Sequence, residues 1–215
     1  MSMFEEEVNA IVKKYNLKRQ NEIIFYGASN FRMWTDLEDD LSEYKVQNHG
    51  FGGCTDKDLL ENTDRILYPY HPSLVFFQTG SNDYMDQTGT EHEIAAACMA
   101  YKKKMFDMVY EKLPEAKLVV MSGLLLPGRS QYASLTMKIN DKLKKYCDSP
   151  DYMYFVDATS MTYDGKDYDT SLFLPDGMHL NREGQRKWCK EYIKPQIDAL
   201  VREYDLFWLR SERSK

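Results

Sequence analysis

The fold class this sequence predicts is α/β: a single domain with a five-stranded parallel sheet and helices on both faces. Three observations carry the prediction. Short continuous apolar runs, Ile23-Ile24-Phe25-Tyr26, Leu74-Val75-Phe76-Phe77 and Leu118-Val119-Val120-Met121, read as strands buried on both faces. Segments with helical spacing of apolar residues separate them, so strand and helix alternate along the chain. No repeat or linker interrupts the alternation, and closure into a barrel would need about eight such units. The 215 residues suffice for one sizeable core and are few for two. Residues 1–215 therefore read as one domain, with 205–215 a short C-terminal tail.

Phe4, Val8, Ile11, Val12 and Tyr15 fall at helical spacing and predict an opening amphipathic helix over 3–15. The first strand covers 22–26 and Gly27 ends it; a helix is expected over 31–41 on Phe31, Met33, Trp34 and Leu37. Tyr44-Lys45-Val46-Gln47 is a short strand leading into Asn48-His49-Gly50-Phe51-Gly52-Gly53. The glycines there imply a tight loop or a close backbone approach. Thr55 followed by Asp58 marks a helix start, with Leu59, Leu60, Thr63, Ile66 and Leu67 inward until Pro69 and Pro72. The second buried strand empties into Gln78-Thr79-Gly80-Ser81-Asn82-Asp83. Thr90 with Glu93 resembles a capping box for a helix over 91–113, with Ile94, Ala97, Cys98, Tyr101, Met105, Met108 and Val109 inward.

The third strand ends at Gly123, before a loop through Pro127, Gly128 and Arg129. Leu135, Ile139, Leu143 and Tyr146 give a helix over 134–147, and Tyr154-Phe155-Val156 is the last strand. A long polar loop over 157–175 leads to Asp176-Gly177-Met178-His179. The closing helix begins near Asn181, is interrupted or kinked at Pro195, and continues to Tyr204. Phe207-Trp208-Leu209 in an otherwise polar tail either faces a second copy of the chain, as a homo-oligomer, or docks back onto its own domain.

Composition narrows the function. The net charge of −6, with no basic cluster beyond Lys102-Lys103-Lys104, argues against nucleic acid or an anionic membrane as partner. No apolar run has the length to insert in a membrane. The acidic Met1 to Val8 lacks the apolar core of a signal peptide, so a cytoplasmic location is expected. Cys54, Cys98, Cys147 and Cys189 lie far apart and read as reduced thiols, not as a disulfide framework or zinc site. His49 and His71 read as loop residues and His92 as an exposed helix residue, with no metal-ligand spacing among them.

Ser29 alone would be an ordinary helix cap. Its company changes that reading. Loops that follow strands hold Ser29, Gly53 and Asn82, and Asp176 and His179 come near the end. Acyl transfer by a serine needs a base in hydrogen-bond reach, a group that orients the base, and donors aimed at the developing oxyanion. His179 can be the base, and Asp176, three residues earlier, can reach its Nδ1 within a single turn. The backbone N–H groups of Ser29 and Gly53, with the Asn82 amide, can form the oxyanion hole.

Gly27-Ala28-Ser29, Gly53 within Asn48 to Gly53, Gly80-Ser81-Asn82-Asp83 and Asp176-Gly177-Met178-His179 resemble the four blocks of the SGNH (GDSL) hydrolase family. They stand in family order, and the resemblance extends over residues 22–190. It implies a flavodoxin-like sheet, the SGNH hydrolase fold, ester hydrolysis, and no cofactor or metal. It maps the nucleophile to Ser29, the oxyanion donors to Ser29, Gly53 and Asn82, and the acid–base pair to Asp176 and His179. Ala28 stands where the family has aspartate; that residue lies outside the triad, so the departure bears on loop geometry and substrate preference.

The expected function is serine-dependent hydrolysis of small-molecule carboxylic esters, of short acyl groups and including carbohydrate O-deacetylation. Rival readings are a lysophospholipase or thioesterase, an acyltransferase, and a catalytically silent sugar- or lipid-binding module. A phosphate-binding role for Gly50 to Gly53 lacks the lysine and hydroxyl of a P-loop. Tyr84, Met85, Tyr132 and Met178 are candidate walls of the substrate cleft, and the Asp-, Tyr-, Thr- and Ser-rich loop 157–175 suits a polar alcohol portion.

Overall fold

Residues 3–211 are described by the computed structural model; positions 212–215, the end of the expected tail, lie outside the described residues, as do 1–2. In chain order the elements are α1 (Glu5–Tyr15), β1 (Ile23–Gly27), α2 (Ser29–Arg32), α3 (Leu37–Asp40), β2 (Val46–Asn48) and α4 (Asp56–Ile66). They continue with β3 (Leu74–Gln78), α5 (Glu91–Lys112), β4 (Lys117–Met121), α6 (Ala133–Cys147), β5 (Met153–Val156), α7 (Thr159–Thr162), α8 (Arg182–Trp188) and α9 (Lys194–Glu203). All strand pairings are parallel, in the order β2-β1-β3-β4-β5. This is the five-stranded sheet the apolar runs predict.

The runs are apolar at every position because each face of the sheet has its own core. Ile24, Tyr26, Val75, Phe77, Leu118 and Val120 face one core, closed by α1, α4, α5 and α6. Ile23, Phe25, Leu74, Phe76, Val119 and Met121 face the other, closed by α2, α3, α8 and α9 around the buried Trp34 and Trp188. From β1 the chain goes to β2 on one side and then to β3 on the other. The carboxyl ends of β1 and β3 therefore flank the switch point of the sheet, where such folds bind ligands.

Several elements differ from the sequence reading. The helix expected over 31–41 is two short ones, α2 and α3. Asn48 at the end of β2 is the reason: its Nδ2 donates to the Phe31 and Trp34 carbonyls at 2.7 and 3.1 Å, drawing them out of a helical ladder. The buried stripe of α5 includes Ala95, Met99, Lys102 and Phe106, whereas Ala97, Tyr101 and Met108 are exposed. The stripe is turned to include a lysine. Lys102 is 5% exposed and reaches Asp56 at 2.8 Å and Asp83 at 4.0 Å.

The polar loop 157–175 contains α7 and a 3-10 turn, Thr170–Leu172. Pro195 sits at the start of α9, directly after a π-helical stretch, Cys189–Ile193, that absorbs the break. Of the tail, Leu209 is buried and its carbonyl accepts from the Lys45 N–H at 2.7 Å; Phe207 and Trp208 are exposed. His49 is a loop residue, as expected, but a buried one directly after β2, its ring nitrogens beside Ile66 O and Gln47 Oε1. Among the described residues, no helix is long and apolar enough to cross a membrane.

Candidate active site

The site begins with a close approach of two strands. A Cβ on Gly27 would meet the Gln78 carbonyl oxygen of β3 at 2.2 Å, so only glycine fits there. The next residue, Ala28, donates its N–H to the same carbonyl at 3.0 Å, and Ser29 opens α2. Asn30 is buried, and its Oδ1 accepts from the Leu180 N–H at 3.1 Å. This bond fastens the loop after β1 to the segment that carries His179.

The structure brings three of the sequence-predicted residues into one line. His179 Nε2 lies 2.9 Å from Ser29 Oγ, and Nδ1 lies 2.7 Å from Asp176 Oδ2. The other carboxylate oxygen, Oδ1, accepts from the Met178 and His179 N–H groups at 2.8 and 3.0 Å. The turn closing these bonds needs Gly177 at φ 65°, in the left-handed region. Burial would raise the Asp176 carboxyl, but the bonds from the His179 ring and the two N–H groups hold it down at about 2. An ionised Asp176 accepts from Nδ1–H, which leaves Nε2 as the acceptor facing the serine hydroxyl.

Gly53 and Asn82 border the same centre. A groove of about 460 Å³ runs past Ser29, Gly52, Gly53, Asn82, Arg129 and His179. The serine also borders a recess of about 40 Å³, with Gln78, Leu124, Leu126 and Met178 among its walls. Gly53 has φ 71°, so its glycine serves backbone conformation and not space. Asn82 stands in a 3-10 turn, Ser81–Asp83. Its Nδ2 donates one hydrogen to the Cys54 carbonyl at 3.2 Å, which leaves the second for a ligand. Arg129 Nη1 donates to Asn82 Oδ1 at 3.2 Å and also to Ser81 Oγ, which fixes the orientation of the amide.

Arg129 and Asn30 are site residues the sequence reading passed over. The available signal for Arg129 was that it is the one charged residue in the stretch 122–129 after β4. Three expectations for the cleft walls fail. Tyr84 is buried with its hydroxyl on Thr136, Tyr132 bonds the Met85 carbonyl, and neither tyrosine lines the recess or groove. Of the four candidates only Met178 does. The loop 157–175 lines neither space; Thr170, Phe173, Leu174 and Pro175 border an adjoining cleft that Asp176 and Gly177 also line. Cys54 is buried, which pushes its thiol well up and away from reactivity.

Comparison with known proteins bears on what this site belongs to. No curated protein matches the chain in sequence. Among solved structures, a provisionally assigned acylhydrolase from Bacteroides fragilis is similar at 18% identity, over 93% of this chain and 96% of that one, with a TM-score of 0.73. A GDSL-like lipase from Bacteroides thetaiotaomicron is similar at 20% identity over 91% and 96%, with a TM-score of 0.65. A carbohydrate esterase of family 3 from Talaromyces cellulolyticus is similar at 14% identity over 86% and 99%, with a TM-score of 0.64. At such identities the likeness is one of fold. The sequence profile of the GDSL-like lipase/acylhydrolase family, by contrast, matches residues 23–187, from the first residue of β1 into α8. This chain belongs to that family and is an ester-hydrolysing enzyme.

Proposed function

We propose that the enzyme is a serine esterase acting on short acyl groups, with Ser29 as nucleophile, His179 as base and Asp176 as the group that orients it. The observation that carries the reading is the continuous contact from Ser29 Oγ through His179 to Asp176. Ser29 Oγ attacks the ester carbonyl carbon and its proton passes to His179 Nε2. The carbonyl oxygen takes up the negative charge, facing the Ser29 and Gly53 N–H groups and the free hydrogen of Asn82 Nδ2. The tetrahedral adduct collapses, the alcohol leaves with the proton from Nε2, and water repeats the sequence on the acyl-enzyme. Asp176 stays ionised throughout and stabilises the imidazolium that forms.

The recess of about 40 Å³ suits an acetyl or propionyl group, and the open groove suits the alcohol portion. Likeness in fold to a carbohydrate esterase makes a sugar one natural alcohol portion. Ser29→Ala tests the reading with p-nitrophenyl acetate. The expected loss in kcat is about four orders of magnitude or more, with an unchanged unfolding midpoint. A variant that keeps a tenth of the turnover removes Ser29 from the chemistry.

A further inference from the structure

We propose that the ester cleaved here carries an anionic group, a carboxylate or a phosphate, on its alcohol portion, and that Arg129 binds it. The inference rests on the esterase reading above. Arg19, Arg65, Arg182 and Arg210 are half-buried, and each meets a carboxylate of this chain. Arg129 is half-buried as well, yet among the described residues no carboxylate lies within ion-pair distance of it. Its partners are neutral: Ser81 Oγ, Asn82 Oδ1 at 3.2 Å and Met178 Sδ at 3.2 Å. These occupy Nη1 and Nε, and among the described residues Nη2 has no protein partner. A guanidinium keeps its charge at any working pH, and its planar fork matches a carboxylate or phosphate. Withdrawing such a charge from water calls for a counter-charge. The other half-buried arginines draw theirs from the chain; Arg129 takes its own from the substrate.

Position agrees with this. Arg129 borders the recess and the groove together with Ser29, Asn82 and His179. With the acyl group in the recess, the alcohol portion lies in the groove. The other groove cation, Arg32, is paired with Glu7 at 3.0 Å, so Arg129 is the groove cation without an ion-pair partner among the described residues.

The test compares 3-acetoxybenzoate with its methyl ester, which share the acetyl group and ring and differ in one charge. The wild-type enzyme is expected to favour the carboxylate in kcat/KM by about tenfold or more. That preference is expected to shrink as salt screens it. Arg129→Gln is expected to bring the ratio near one, whatever happens to turnover of the neutral ester. Acetylglycerol phosphate against acetylglycerol forms the phosphate arm, and the arm with the larger preference names the anion. Equal rates on charged and neutral esters in both arms, or a preference that survives Arg129→Gln, overturn the proposal and leave Arg129 to orient Asn82 alone. Wild-type turnover of the neutral ester reports the esterase reading separately: if it is absent, that reading fails; if it is present without preference, only this inference fails. Should Arg129→Gln not fold, product inhibition of the wild-type enzyme reads the same contact. 3-Hydroxybenzoate is expected to inhibit about tenfold more tightly than its methyl ester, and equal inhibition overturns the proposal.

Discussion

Asn82 is held by three groups before any substrate arrives. Cys54 takes one amide hydrogen, Arg129 grips the amide oxygen, and the turn Ser81–Asp83 fixes the backbone. An amide so constrained presents its remaining hydrogen at a fixed place, as an oxyanion donor must. Asn82→Ala is therefore expected to lower kcat by about 10²–10³-fold with a smaller change in KM. If KM alone rises, Asn82 is a ground-state contact and the assignment falls. The candidate site was legible at this scale where one residue's chemistry defines its role. Ser29 and His179 are 150 positions apart, yet a serine after a buried strand and a histidine near the end already suggested each other. Asn30 and Arg129 were not legible, because their roles lie in which loop each one reaches. Asn30 grips the Leu180 backbone, and Arg129 grips the turn after β3; neither contact leaves a mark in local spacing.

The helices show the same division between local and distant causes. Both capping boxes could be read from sequence, since Thr55 with Asp58 and Thr90 with Glu93 make their bonds within a single turn. The break between α2 and α3 could not, because its cause, the Asn48 side chain, comes from another strand. Nor could the buried stripe of α5, which turns Lys102 inward toward Asp56, Asp83 and Thr79. Two carboxylates here share one cation. Burial pushes Asp83 up, Lys102 holds it down in part, and Asp56 pushes it further up. The cluster ties α4 and α5 to the turn that carries Asn82. Lys102→Met leaves both carboxylates without a counter-charge and is expected to cost about 3–5 kcal/mol in urea unfolding. Asp56→Asn in the same chain is expected to restore part of that loss, and a single-variant loss below about 1 kcal/mol would show that the cluster holds little of the fold.

Across the whole molecule, the strands bring their carboxyl ends to one edge, and the size of the space left there decides which acyl groups fit. Leu124 and Leu126 after β4 close the recess on one side, and Ala28 and Gln78 close it at the junction of β1 and β3, leaving about 40 Å³. Among the recess walls, Gln78 keeps its Oε1 buried without a hydrogen-bond partner among the described residues. The small space opposes long chains. In a channel built for long acyl groups, each added methylene would contribute about 0.8 kcal/mol, and kcat/KM would climb steadily with length. Here p-nitrophenyl esters are expected to peak at the acetyl or propionyl member and to fall by about tenfold or more by octanoyl. A series from two to about twelve carbons, assayed below the solubility limit of each ester, makes the measurement. A maximum at octanoyl or beyond would mean that the recess opens further than its walls allow, and a lysophospholipase or thioesterase reading would take the place of the short-acyl one.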